Sequence, residues 1–269
     1  SPCTPAHARP CGPRSVPPGP VLRGGGGLLW ATVDAGNFAV VDAAMSRALI
    51  CVSKAMLRHR YHARYELVEL AFLTLAARAQ SLVPLHAACV GANGNGVLLM
   101  GASGTGKSTL SLHALAGGLQ LLSEDSAFVA LARLRVTGVP SYLHVSRDAL
   151  RFLHSKRLRR TIERSPTIEG RSGALKLAVD LRKLEGNLAR VPLHLAAIVF
   201  LSRRAAGGQP AVRPLERETL LARLRREQPY AAAGPNWRAF ERRVLDVPAY
   251  ELRRAEHPDV AVRLVRSLL

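Results

Sequence analysis

The sequence predicts an α/β fold in which a small β-rich N-terminal lobe precedes a larger domain built around a phosphate-binding glycine loop, or P-loop. Three observations predict it. The apolar run Val97-Leu98-Leu99-Met100 leads directly into Gly101-Ala102-Ser103-Gly104-Thr105-Gly106-Lys107-Ser108, and residues 108–116 then read as a helix closed by Gly117-Gly118. Further apolar runs at 119–123 and 195–201 are separated by helical stretches, the pattern of an open α/β sheet. Ahead of these, residues 28–51 hold short β-prone runs broken by the turn-forming Asp34-Ala35-Gly36-Asn37.

Each element follows from local chemistry. Residues 1–27 contain seven Pro, six Gly and no acidic residue, so a disordered Pro/Gly-rich tail is expected there. Strands are expected at 29–33, 38–41 and 48–51, within a lobe spanning 28–82. Between 65 and 79 the apolar residues Leu67, Leu70, Ala71, Leu73 and Ala77 recur at the spacing of one helix face. The main domain is assigned to 83–269. Ala87-Ala88-Cys89-Val90 reads as a strand headed by His86 and paired with the loop strand through a tight hairpin at 92–96. Beyond the loop come the strand 119–123, a central strand 195–201, an Arg-rich helix 218–228, a strand 250–252 and a closing helix 258–269.

Composition removes several classes of protein. A chain of 269 residues with 48% hydrophobic content has the length and apolar content for a packed core. The formal charge of +19 points to an anionic partner, but 33 of the 38 basic residues are arginines in an Ala-, Leu- and Gly-rich chain. A GC-rich coding sequence produces that skew, so nucleic acid is not the expected partner. Cys3, Cys11, Cys51 and Cys89 have neither CxxC spacing nor clustered His partners, so they announce no zinc site and no disulfide framework. No apolar stretch reaches the roughly 18 residues of a membrane span. The first residues are Pro and Gly rather than an apolar run, so no signal peptide is expected and the expected compartment is the reducing cytoplasm.

The strand–loop–helix arrangement gives backbone N–H groups room to surround phosphate oxygens, and this assigns Gly101, Ala102, Ser103, Gly104, Thr105, Gly106, Lys107, Ser108 and Thr109 to nucleotide binding. Lys107 would bridge the outer phosphates of ATP and the Ser108 hydroxyl would ligate Mg²⁺. Glu124 and Asp125 follow the loop lysine by 17 and 18 residues, at the end of the next strand, where ligands of open sheets bind. One carboxylate would accept the proton of an incoming hydroxyl and the other would face the metal. His86 precedes the lysine by 21 residues and is a further candidate.

Taken together, His86-Ala87-Ala88, the glycine loop with Thr109, and Leu121-Leu122-Ser123-Glu124-Asp125 resemble the catalytic core of HPr kinase/phosphorylase and its relatives, over about residues 85–129. The resemblance implies a phosphoenolpyruvate-carboxykinase-like nucleotide-binding core and ATP- and Mg²⁺-dependent phosphorylation of a protein or peptide serine. It gives His86 the place of the active-site histidine, Glu124 that of the first acid and general base, and Asp125 that of the second acid, on the metal with Ser108. It also gives Lys176, in a later strand, a phosphate-binding role. Two departures stand out: Glu replaces Asp at 124, and no Arg-Gly-Leu-Gly segment follows, Glu169-Gly170-Arg171-Ser172-Gly173 being the nearest stretch. The phosphorylase activity of the bifunctional enzymes is therefore left open. The chain is more similar to stand-alone relatives, some of which accompany lasso-peptide and other modified-peptide gene clusters and phosphorylate the precursor.

Three rival classes bear comparison with this pattern. A transport ATPase needs Leu-Ser-Gly-Gly-Gln, whereas Gly207-Gly208-Gln209 lacks the Leu-Ser and the strand at 195–201 ends in Ser202-Arg203-Arg204 instead of acids. A nucleic-acid-binding ATPase would use Arg151, Lys156, Arg157, Arg159, Arg160 and Arg164, but Phe152 alone among them offers a stacking ring. Those charges suit an acidic peptide partner or a solvated surface equally. A kinase acting on free serine shares the same motifs, and a homo-oligomer is left open.

Overall fold

The computed structural model describes residues 16–25, 27–171, 173–184, 187–208 and 211–269, and the chain divides into two compact units. Of the described residues, one unit comprises those up to 75 with those of 169–174, and the other those of 76–168 with those of 175–269.

The first unit opens with an antiparallel meander, β1 Val21–Gly25, β2 Leu28–Asp34, β3 Asn37–Asp42 and β4 Arg47–Cys51, paired in that order. Of the Pro/Gly-rich segment 1–27, residues 1–15 and 26 lie outside the described residues, and 21–25 form β1 instead of a tail. Neighbouring β2 supplies the ladder that the glycines of β1 need, a tertiary partner invisible to local composition. The expected strands at 29–33, 38–41 and 48–51 correspond to β2, β3 and β4. A helical run follows through α1 Arg60–Ala63, a π-helical stretch Arg64–Glu69 and α2 Leu70–Ala79. Leu67 and Ala71 of that run are buried with Ala31, Ala39 and Val41 of the sheet.

The second unit carries a nine-stranded mixed sheet. Its strands are β5 Val83–His86, β6 Ala88–Ala92, β7 Asn95–Met100, β8 Gln120–Ser123, β9 Ser126–Ala130, β10 Arg135–Gly138, and later β14 Leu193–Ala205, β15 Val212–Pro214 and β16 Ala249–Arg254. Between them lie α3 Lys107–Ala116 and a three-stranded sheet of β11 Tyr142–Val145, β12 Thr167–Glu169 and β13 Leu175–Asp180, with α4 Lys156–Glu163 inserted. The C-terminal helices are α5 Arg217–Glu227, α6 Pro229–Ala232, α7 Trp237–Val244 and α8 Pro258–Arg266.

The loop strand β7 pairs antiparallel with β6 and parallel with β14, which in turn runs parallel to β16. These strands are covered on both faces, and their residues sort by the alternation of the pleat. Val97, Leu99, Val199 and Leu201 pack toward α3, α8 and the small sheet. Leu98, Met100, Ile198 and Phe200 pack toward α5 and α7. The β6–β7 hairpin turns on Asn93 and Gly94, both with positive φ, which matches the primed turns that suit twisted hairpins.

The structure also departs from the sequence expectation at His86. His86 does not head the strand beside the loop strand; it closes β5, which pairs with β9 at His86 and Ser126. Ala87 is where the chain passes from one part of the sheet to another, a crossing that a continuous apolar reading of 85–90 conceals.

Candidate active site

The glycine loop sits between the carboxyl end of β7 and the start of α3, as the sequence predicts. Gly101 has φ of +142°, and a Cβ there would meet Thr105 Oγ1 at 2.7 Å and the Leu201 carbonyl of β14 at 3.0 Å, so no other residue fits. Gly106, with φ of +103°, caps α3 by accepting from the Leu110 N–H at 2.8 Å. The Thr105 hydroxyl donates to the Ala102 carbonyl at 2.9 Å, and the exposed Arg203 at the far end of β14 donates to the Ser103 carbonyl at 2.5 Å. Arg203 is a loop contact that the sequence reading missed, having noted the arginines after the central strand only as an absence of acids.

Lys107 folds back across the loop, its Nζ donating to the Gly101 carbonyl at 2.6 Å. Burial pushes its ammonium below the usual lysine range, while the negative charges of Asp125, Glu124 and Glu227 oppose that fall and the charge of Lys176 adds to it. Lys176 of β13 is therefore electrostatically part of the site. Glu227, at the end of α5, is an acid that sequence spacing gave no reason to select.

The two acids at the end of β8 occupy different environments. Glu124 is buried, with its side chain 9% exposed. Its Oε1 accepts from the Ser108 hydroxyl at 2.5 Å, and its Oε2 lies 3.4 Å from Nδ1 of the buried His144 on β11. Asp125 turns outward, its side chain 61% exposed, with Oδ1 3.2 Å from Nδ1 of His86, itself 51% exposed. The backbone of His86 is clamped by buried Gln228, whose Oε1 accepts from the His86 N–H at 2.7 Å while its Nε2 donates to the His86 carbonyl at 3.1 Å. The Ala87 N–H donates to the Asp125 carbonyl at 3.1 Å, which ties the two chain segments together. His144 and Gln228 carry no motif; only the folded chain brings them to the acids.

Beside Thr105, Gly106 and Thr109 opens a cavity of ≈ 610 Å³ with apolar walls from Leu201, Leu252 and Ala261. Its size lies within the range of small-molecule sites. The donor set fits a nucleotide with a hard divalent cation: a glycine-lined loop at a helix start and a lysine suit phosphate, and a serine hydroxyl and carboxylate oxygens are hard ligands for the cation.

No protein-family model and no curated protein matches the chain. Among solved structures it is similar to the HPr(Ser) kinase/phosphatase from Coxiella burnetii, with 16% identity, 68% of this chain and 88% of that chain covered, and a TM-score of 0.35. At those values the likeness carries no argument about chemistry, which rests on the loop, the acids and the histidines. Among the described residues no helix is long and apolar enough to cross a membrane.

Proposed function

We propose that this chain is an ATP- and Mg²⁺-dependent kinase that phosphorylates a serine hydroxyl of a protein or peptide. The observation that carries the proposal is the pairing of two unlike acids beside one phosphate loop: buried Glu124 on Ser108, exposed Asp125 on His86. Hydrolysis of a nucleotide needs only the first pair. The second supplies an accessible base for an external hydroxyl.

The geometry favours a division of labour opposite to the one the family resemblance implies. Glu124, held on the loop serine and shielded from solvent, suits the metal side with Ser108. A bound magnesium ion would neutralise phosphate charge there. Asp125 suits the acceptor side, taking the serine proton as the phosphoryl group passes to the serine oxygen. His86 holds that carboxylate, and Gln228 fixes the backbone from which His86 reaches. His144 positions Glu124. Lys107 and the loop N–H groups hold the phosphates, and the cavity against Leu201 and Leu252 takes the nucleoside. An acceptor segment carrying acidic residues is favoured by the exposed Lys156, Arg157 and Arg160 of α4.

The test is incubation with γ-labelled ATP, Mg²⁺, a panel of serine-containing peptides and free serine. Label recovered as phosphoserine in a peptide, reduced at least about 100-fold by Lys107→Ala, supports the proposal. ATP hydrolysis with no acceptor labelled, or label on free serine alone, overturns it.

A further inference from the structure

Away from the loop acids, three histidines converge on one carboxylate. His154, in the turn before α4, places Nε2 2.8 Å from Asp259 Oδ2, and His257, at the cap of α8, places Nδ1 3.5 Å from the same oxygen. One ligand atom from each of the three residues lies within 4.8 Å of the others. Behind them, His113 of α3 is buried, with its Nε2 3.1 Å from the Ala149 carbonyl and Nδ1 3.9 Å from Asp259 Oδ1. Since a carbonyl only accepts, Nε2 carries the proton of that contact and Nδ1 is left as the ring's lone-pair atom. A cavity of ≈ 250 Å³ is lined by His113, His154 and Asp259, with Arg263 and Arg266 also on its wall. The Arg266 guanidinium is occupied by the Gly117 carbonyl, to which it donates at 2.5 Å.

We infer that His154, His257 and Asp259, with His113 behind them, form a binding site for a first-row transition metal of the zinc class. Two imidazoles and one carboxylate are a known donor set for zinc, and imidazole selects such ions over magnesium or calcium. Ligands on tetrahedral bonds of roughly 2.0–2.1 Å lie about 3.4 Å apart, which is the His257–Asp259 spacing already present. The 2.8 Å contact of His154 opens by rotation of a ring that is 81% exposed. His257 Nδ1 accepts from the Asp259 N–H at 3.2 Å, a long cap that coordination at Nδ1 replaces. His113 is placed either to complete the shell or to orient Asp259, as outer-shell partners do. Nothing in the structure demands these pairs for stability, because exposed His–carboxylate contacts contribute little. The sequence concealed the site: His154 lies 105 residues from Asp259, and none of the ligands is a cysteine. The inference does not rest on the kinase reading, and His257 lines the cavity beside the glycine loop as well.

Metal-free full-length protein titrated with Zn²⁺ by calorimetry, and with Co²⁺ by visible absorption, tests the site. The expected result is one equivalent with imidazole-type ligand-field bands and a raised melting temperature on Zn²⁺ addition. His154→Ala, which removes an exposed ring and leaves the core untouched, and Asp259→Asn should each lose that equivalent or bind it at least about tenfold more weakly. His194→Ala, at an exposed histidine elsewhere, should bind as the wild type does. Failure of the wild type to bind an equivalent, or unchanged stoichiometry and Co²⁺ spectrum in both His154→Ala and Asp259→Asn, overturns the inference.

Discussion

In the proposed role Lys107 works between opposing demands: it would carry charge to hold phosphate, yet folding buries it. Its folded pKa is lowered, chiefly by desolvation. The unfolded chain therefore binds the proton more readily, and by linkage this group makes the fold more stable as pH rises through its titration. Removing the ammonium removes that penalty. Lys107→Met is expected to abolish transfer while melting no lower than the wild type in the absence of nucleotide; a clear drop in melting temperature by calorimetry would contradict the burial argument. Glu124 is predicted to act through Ser108, so Glu124→Gln should raise the Mg²⁺ concentration for half-maximal activity about tenfold or more, read from rate against free Mg²⁺. An unchanged Mg²⁺ requirement would remove Glu124 from the metal side. The loop residues, both acids and His86 were legible in the sequence because glycine, lysine and acid spacing is constrained by phosphate chemistry within a short stretch. His144, Gln228, Glu227 and Arg203 were not, since each reaches the site from a distant element.

The elements explain why the loop is held where it is. β7 is flanked by β6 on one side and β14 on the other, so the strand that delivers Gly101 has no free edge. Phe200 of β14 pairs with Met100 in the register of the two parallel strands, and the residue is 1% exposed. Phe200→Ala should cost ~3–5 kcal/mol in chemical denaturation, with nucleotide affinity lost alongside stability. A cost near zero would mean that the core on that face is not packed as described. The long apolar runs at 97–100 and 195–201 were readable as strands because fully covered strands are continuously apolar. The short strands β9 to β12 were not readable, because runs of three to five residues with turns between them leave no period to detect. The helix at 65–79 was found, but its start at Arg60 and its π-helical stretch were not.

Across the whole molecule, the sequence placed a domain boundary at 82/83, and the compact units divide at 75/76 instead. The reason is that α2 is one continuous helix, whose apolar stripe does not announce which unit each turn packs into. The return of residues 169–174 to the first unit is likewise a tertiary matter: Arg171 donates through Nε to Glu66 at 2.7 Å, across 105 residues of sequence. The net charge of +19 is a property of the chain as a whole. Under the proposed function it would assist encounter with an acidic acceptor, an effect that weakens as salt rises.

The central claim is that the outward-facing Asp125 serves an external hydroxyl while the glycine loop serves the nucleotide. Single-turnover transfer from γ-labelled ATP to a serine peptide, measured for the wild type and Asp125→Asn beside ATP affinity for both, tests it most directly. The account predicts unchanged ATP affinity and a transfer rate lowered about 100-fold or more. Equal transfer rates, or a loss confined to ATP affinity, would contradict it.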